Sequence, residues 1–227
     1  MTEVVGHRGA KGLVPENTLP SFEAAIALGC DATECDVHLS ADGHLVVCHD
    51  HTVDRTTNGT GTIATMTLAE LRSLDAGHGA QIPLFEELLA LVKGRITLLC
   101  ELKGEGTADA AVAAVRAAGM TRGVTFSCFD LDRLARVRQL GDELRLAGIH
   151  SSFDPAALAR LVALGAEYMD VHWQSLSSEV VDTIHAAGLR CRGWNPDTEA
   201  DIRTTLALGV DSVSSNYPDL AVRAVRG

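Results

Sequence analysis

Short apolar runs alternate with segments of helical periodicity along nearly all of this chain. The runs fall at residues 4–6, 32–37, 96–102, 124–127, 144–149, 168–172, 189–194 and 211–214, which gives eight candidate strands. Between them, apolar positions recur at a spacing near 3.6 and predict helices over 21–28, 83–92, 108–118, 130–140, 155–164, 177–187 and 199–208, with a last helix at 220–225. Asp154-Pro155 is an N-cap followed by proline in the first turn, and Gly29, Gly119, Gly165, Gly188 and Gly209 stand where helices should end. Strands that alternate with helices pair in parallel through right-handed crossovers. Eight such units predict an α/β chain closed into a (β/α)8 TIM barrel. An open doubly wound sheet usually has fewer strands and shows a dinucleotide or phosphate loop.

One excursion breaks the alternation. Residues 36–50 read as a hairpin: Asp36-Val37-His38-Leu39, a turn around Asp42-Gly43, then Leu45-Val46-Val47-Cys48. A polar Thr/Gly-rich stretch follows at 52–62, then a short helix opened by the capping box Thr67-Leu68-Ala69-Glu70. The chain therefore reads as a single barrel domain over 1–227 with a short insertion at about 51–80. The insertion leaves the C-terminal end of strand 2, on the barrel face where catalytic loops belong.

Composition narrows the functional classes. The 227 residues are 46% apolar and 22% charged, enough for one substantial core. No apolar run approaches the ~20 residues of a membrane span, and the N-terminus shows no secretory pattern, so a cytoplasmic protein is expected. The six cysteines form no C-x-x-C pair and read as reduced core thiols. A formal net charge of -11 argues against a nucleic-acid partner and against long-range attraction of anions. Any phosphate site must then be made locally, by a cation or a few placed basic groups. Oligomeric state is not legible, because outer helices look alike whether solvated or paired.

The candidate chemistry lies at strand ends. Glu34 and Asp36 are two apart in a strand, so they share a face about 6.5–7 Å apart along it. Glu101 brings a third acid from the adjacent strand. One such acid alone reads as a loop end facing water. Three at one barrel mouth repel each other unless a positive charge lies between them, and they suit a hard divalent cation, Mg²⁺ or Ca²⁺. Cys35, Cys48 and Cys100 sit one residue from these polar positions, so alternation turns them toward the helix layer and away from any zinc site. His7 and His49, at two strand ends beside the acids, suit a general acid–base pair. Arg8 can fork onto phosphate oxygens, and Lys103 shares a face with Glu101. Asp50, Arg55 and Glu16 are given a structural pairing role.

In order along the chain, His7-Arg8-Gly9, Pro15-Glu16-Asn17-Thr18, Glu34-Cys35-Asp36-Val37, His49-Asp50, Asp54-Arg55-Thr56-Thr57 and Glu101-Leu102-Lys103 resemble the motif series of the glycerophosphodiester phosphodiesterase family. Residues 82–87, Ser127-Cys128-Phe129 and 209–218 continue the resemblance over nearly the whole chain. It implies a barrel that hydrolyses glycerophosphodiesters to sn-glycerol 3-phosphate and an alcohol with one divalent cation. Carried across, Glu34, Asp36 and Glu101 would bind metal, His7 and His49 would exchange protons, and Arg8 and Lys103 would hold phosphate. Phe129 and Trp194 would line the glycerol pocket.

The chain departs from the family pattern at three places. Ser215-Asn216 replaces the common Thr-Asp after the last strand, Gly193-Trp194-Asn195-Pro196 differs from the usual Trp-Thr run, and the insertion is short. His172, at the end of strand 6, is a further pocket residue or a structural one. Two other functions fit less well: a lysophospholipase-D-like phosphodiesterase, which the 4% aromatic content serves poorly, and a non-catalytic phosphate-ligand-binding barrel, which has no use for two histidines.

Overall fold

The computed structural model describes residues 2–227, and its strands follow the predicted runs closely. They are β1 (Glu3–Gly6), β2 (Ala32–Leu39), β3 (Leu45–Val47), β4 (Thr97–Leu102), β5 (Val124–Cys128), β6 (Arg145–His150), β7 (Tyr168–His172), β8 (Arg190–Trp194) and β9 (Ser212–Ser215). All except β3 run parallel, in the order β1-β2-β4-β5-β6-β7-β8-β9, and β9 returns to β1 to close an eight-stranded barrel. The helices are α1 (Leu19–Ala27), α2 (Leu68–Arg72), α3 (Phe85–Val92), α4 (Thr107–Ala117), α5 (Leu131–Leu140), α6 (Pro155–Ala163), α7 (Ser178–Ala186), α8 (Glu199–Ala207) and α9 (Pro218–Arg226). Six of these starts are set by side-chain caps. Thr18 accepts from the Ser21 N–H, Asp154 from Ala156, Ser177 from Val180 and Thr198 from Asp201. No helix among the described residues is long and apolar enough to cross a membrane.

Strand alternation sorts the side chains as expected. Cys35, Val37, Cys100, Leu102, Phe126 and Met169 face outward and pack against the helices in the main core. All six cysteines are free. Cys48 differs from its expected place in the helix layer. It packs under the insertion with Val46, Val53, Ile63, Leu71 and Ile82, because it shares the face of Val46, while Leu45 and Val47 on the opposite face of β3 take the places in the main core.

Inside the barrel, the register groups the inward residues in fours drawn from alternate strands or their immediate continuations. Outermost are Asp36, Phe129, His172 and Asn216. Below them come His7, Glu101, Ile149 and Trp194, then Glu34, Ser127, Asp170 and Ser214. Deeper still are Val5, Leu99, Ala147 and Arg192. The two upper layers hold most of the predicted site.

The β2–β3 hairpin extends one rim of this mouth. The Asp36 carbonyl accepts from the Cys48 N–H while the Val37 carbonyl accepts from Lys103. Successive carbonyls of a strand face opposite edges, so β3 takes the edge of β2 that β1 occupies lower down. That places His49, just past β3, beside His7, just past β1.

Gly6 makes the first of these positions possible. A Cβ there would collide with the Gly9 carbonyl oxygen and would stand 2.9 Å from the Ala25 Cβ. We expect Gly6→Ala to lower unfolding free energy by about 1–3 kcal/mol in urea titration. It should also displace the His7-Arg8-Gly9 turn, so that the loss of turnover exceeds what the unfolded fraction accounts for.

Candidate active site

The β1 strand ends in a tight turn in which Arg8 (φ 51°) and Gly9 (φ 85°) take left-handed backbone conformations. This turns the Arg8 N–H onto Glu34 Oε2 at 2.9 Å and aims His7 into the barrel. Glu34, Asp36 and Glu101 meet there, with one carboxylate oxygen of each lying within 4.8 Å of the others. All three are buried. Asp36 accepts from Asn17 Nδ2 at 2.8 Å and stands 3.3 Å from both Arg8 Nε and Lys103 Nζ. The Lys103 ammonium also donates to Glu101 Oε1 at 2.6 Å.

The charges do not balance. Three carboxylates face two cations, the buried Glu34 Oε1 has no hydrogen-bond partner, and Asp36 Oδ1 has only the ion-pair contact with Lys103. Burial pushes the Asp36 carboxyl up, but Lys103 and Arg8 outweigh it and hold it at about 2. Glu34 goes the other way: burial, then Asp36 and Glu101, raise it well above the carboxylate range. Burial and Asp36 likewise push Glu101 to about 7. Hard oxygen donors, orphaned lone pairs and unrelieved negative charge together fit a divalent cation.

Two histidines flank the cluster. His7 Nδ1 lies 2.7 Å from Asn216 Oδ1, and Asn216 Nδ2 donates to Asp197 Oδ2 at 2.6 Å. The second bond fixes the amide orientation, so its oxygen accepts and His7 carries its proton on Nδ1. His7 Nε2 is left as a lone pair 3.7 Å from Glu34 Oε2. His49 Nδ1 similarly faces Asp50 Oδ1 at 2.6 Å, which leaves its Nε2 free. Burial, then Arg8, lowers His7 to about 3, and burial lowers His49 below its ordinary value.

The pair expected among Asp50, Arg55 and Glu16 forms, and it is a chain. Arg55 grips Asp50 Oδ2 at 2.7 Å and both oxygens of Glu16 at 2.8 Å. Glu16 in turn accepts from Arg8 at 2.7 Å. Arg8 lines the cavity, but two of its nitrogens already face Glu16 and Asp36.

Beside the acids, within the barrel mouth, lies a cavity of about 120 Å³. Of the predicted site residues, His7, Arg8, Glu34, His49, Glu101, Lys103, Phe129 and Trp194 line it, and Asp36 sits behind them. Phe129 and Trp194 meet edge to face at 5.9 Å, and Lys103 Nζ lies 5.9 Å from the Phe129 ring centre. His172 packs edge-on against Trp194 at 5.0 Å and is absent from the cavity wall, so its role is to support that ring.

Residues 7–220 match the model of the glycerophosphoryl diester phosphodiesterase family. The chain is 31% identical to a glycerophosphodiester phosphodiesterase of Caldanaerobacter subterraneus subsp. tengcongensis, over 99% of this chain and 98% of the relative. A Bacillus altitudinis glycerophosphodiester phosphodiesterase is 32% identical, with 98% of each chain covered. An Oleispira antarctica phosphodiesterase, solved in complex with the product sn-glycerol-3-phosphate, superposes with a TM-score of 0.92 at 30% identity, covering 100% of this chain and 98% of the other. The chain belongs to the glycerophosphoryl diester phosphodiesterase family.

Several polar residues of the cavity escape a reading of the sequence. Asp170, Arg192, Ser127, Ser214 and Asn195 also line the cavity. Alternation could have found two of them, since Asp170 is two residues from His172 and Arg192 is two from Trp194. Asp197 carries no local signal. It lies in the loop after β8 and supplies, through Asn216, the carboxylate that Ser215-Asn216 lacks.

Glu16 offers a test of the charged chain. Burial raises its carboxyl, but Arg55 and Arg8 prevail and hold it at about 2, below the ordinary 4.5. A depressed acid contributes stability above the unfolded value and loses it as pH falls through the folded one. Glu16→Gln should therefore cost about 3 kcal/mol at pH 7. Urea unfolding of wild type and variant should converge as pH falls from 4.5 towards 2.

Proposed function

We propose that the protein hydrolyses glycerophosphodiesters, for example glycerophosphocholine or glycerophosphoethanolamine, to sn-glycerol 3-phosphate and an alcohol. The observation that carries this reading is the pair of histidines next to three convergent acids, each ring held through Nδ1 by a carboxylate or an amide with its Nε2 left to exchange protons. The product bound to the Oleispira antarctica relative supports it.

The glycerol hydroxyl beside the phosphodiester attacks phosphorus. One histidine, neutral, takes the hydroxyl proton at Nε2, while the other enters the step as the imidazolium and gives its Nε2 proton to the departing oxygen as the P–O bond to the alcohol breaks. Water then opens the five-membered cyclic phosphate with the two roles reversed, and both histidines recover their starting protonation. A neighbouring nucleophile removes much of the entropic cost of attack, since well-oriented intramolecular reactions reach effective molarities of about 10⁵ M or more. Lys103, and the part of Arg8 not spent on Glu16 and Asp36, hold phosphate oxygens. Glu34, Asp36 and Glu101 would hold one divalent cation, Mg²⁺ or Ca²⁺, supplying charge stabilisation for the phosphoryl oxygens. Phe129 and Trp194 shield the sugar-alcohol side from bulk water. A lysophospholipid is disfavoured by the polar cavity floor of Asp170, Arg192 and Ser214, and a binding-only barrel by the two oriented proton carriers.

Purified protein incubated with glycerophosphocholine should release glycerol 3-phosphate only when Mg²⁺ or Ca²⁺ is present. His7→Ala and His49→Ala should each lower kcat by about 10²–10⁴-fold. Near-wild-type turnover in either variant would remove that histidine from proton transfer. Cation at 100 times its Kd should raise stability by about 2.7 kcal/mol. Thermal melts of Glu34→Gln with and without the cation should coincide, and an undiminished shift would sink the metal assignment.

A further inference from the structure

The catalytic groups occupy the β1, β2 and β4 side of the barrel, yet the cavity continues to the far wall. Four strand steps either way separate β2 from β7, so Glu34 and Asp170 stand opposite each other in one layer of side chains. That layer is short of hydrogen bonds. Glu34 Oε1, Ser127 Oγ and Asp170 Oδ1 are all buried without a partner, and so is Trp194 Nε1 in the layer above. All four residues line the same cavity. The Glu34 oxygen is accounted for by the cation proposed above, but the others are not.

Asp170 is held as a fixed acceptor. It is 4% exposed, and its Oδ2 accepts from Arg192 NH1 at 2.6 Å. Arg192 is itself pinned by Ser212 Oγ at 3.1 Å and by the Tyr168 ring, whose centre lies 4.2 Å from its guanidinium carbon. Three restraints on the arginine leave the carboxylate little freedom to turn. A barrel interior can be filled by branched apolar side chains, and a buried ion pair seldom improves on them for stability. An ion pair that keeps one lone pair aimed into a ligand cavity has a binding role to explain it.

We infer that Asp170, held by Arg192, accepts a hydrogen bond from the outer hydroxyl of the substrate's glycerol, the one not next to the phosphodiester. Resting on the glycerophosphodiesterase reading, this makes the far wall a test for an unacylated glycerol. With phosphate held on the Glu34 side, the three-carbon chain extends across the layer towards Asp170. Trp194 Nε1 and Ser127 Oγ are the remaining polar groups free to meet the same end of the molecule. A lysophospholipid carries an ester at that oxygen. It has no proton to donate, and it would leave the carboxylate buried and unpaired beside an acyl chain.

The test compares sn-glycerol 3-phosphate with propane-1,2-diol 1-phosphate, which keeps the hydroxyl beside the phosphate and replaces the outer one by hydrogen. Calorimetric titration of the wild type with Mg²⁺ present should show the first bound roughly 10- to 100-fold more tightly. The ratio should fall towards one in Asp170→Asn. It should fall likewise in the charge-neutral double variant Asp170→Leu/Arg192→Leu, which leaves no unpaired arginine and guards against a folding defect. Equal affinities in the wild type, or a ratio that persists in the double variant, overturn the inference. Turnover of the two corresponding phosphocholine diesters is followed in parallel. A wild type that cleaves neither diester but still binds the two phosphates with an Asp170-dependent preference would refute the enzymatic reading and leave the hydroxyl subsite standing.

Discussion

Three carboxylates buried at one barrel mouth are the constraint around which the rest of this structure is arranged. Glu34, Asp36 and Glu101 each lose water on folding, and together they repel. Arg8 and Lys103 offset two of the charges and are drawn in by them. Burial, together with the remaining imbalance, leaves Glu34 and Glu101 with raised proton affinity and makes the cluster receptive to a cation. With a net charge of -11, the molecule offers an anionic substrate nothing at long range, so the local field at the mouth has to do all the work of phosphate binding.

Rigidity in the site comes from a second tier of charge. The line from His49 through Asp50, Arg55 and Glu16 to Arg8 ties the insertion, the turn after β1 and the acid cluster together. His7 has a counterpart in Asn216 and Asp197. Both imidazoles are oriented by a partner on Nδ1, so in each ring Nε2 is the nitrogen left to exchange protons. The amide between His7 and Asp197 orients the ring without setting a full negative charge against it. The neutral form is thereby favoured, as its burial also demands.

The two sides of the barrel interior divide the labour. The half nearest the hairpin carries charge that a cation and a phosphate would complete, and the opposite half carries the Asp170–Arg192 pair, Trp194 and Phe129. Polar groups on both sides of a narrow cavity suit a small polyol diester better than an acyl chain. The apolar packing needed for stability is moved outward, between strands and helices, where Cys35, Cys100, Phe126 and Met169 are buried.

By itself the sequence determined the barrel, because a period of two changing to 3.6 eight times over leaves few other foldings, and it determined which face each strand residue takes. Glu34 with Asp36, and Glu101 with Lys103, were legible because alternation puts residues two apart on one face. The histidines were legible as strand-end residues. Tertiary structure alone decided what no local spacing encodes: that β3 follows the β1 edge and brings His49 beside His7, that Arg8 is shared with Glu16, and that Asp197 answers through Asn216. It also decided that Asp170 stands across the barrel from Glu34. These pairings depend on ring closure and register, which join residues from strands far apart in the chain. A sequence states which way a side chain points, but only the closed barrel states what it meets there.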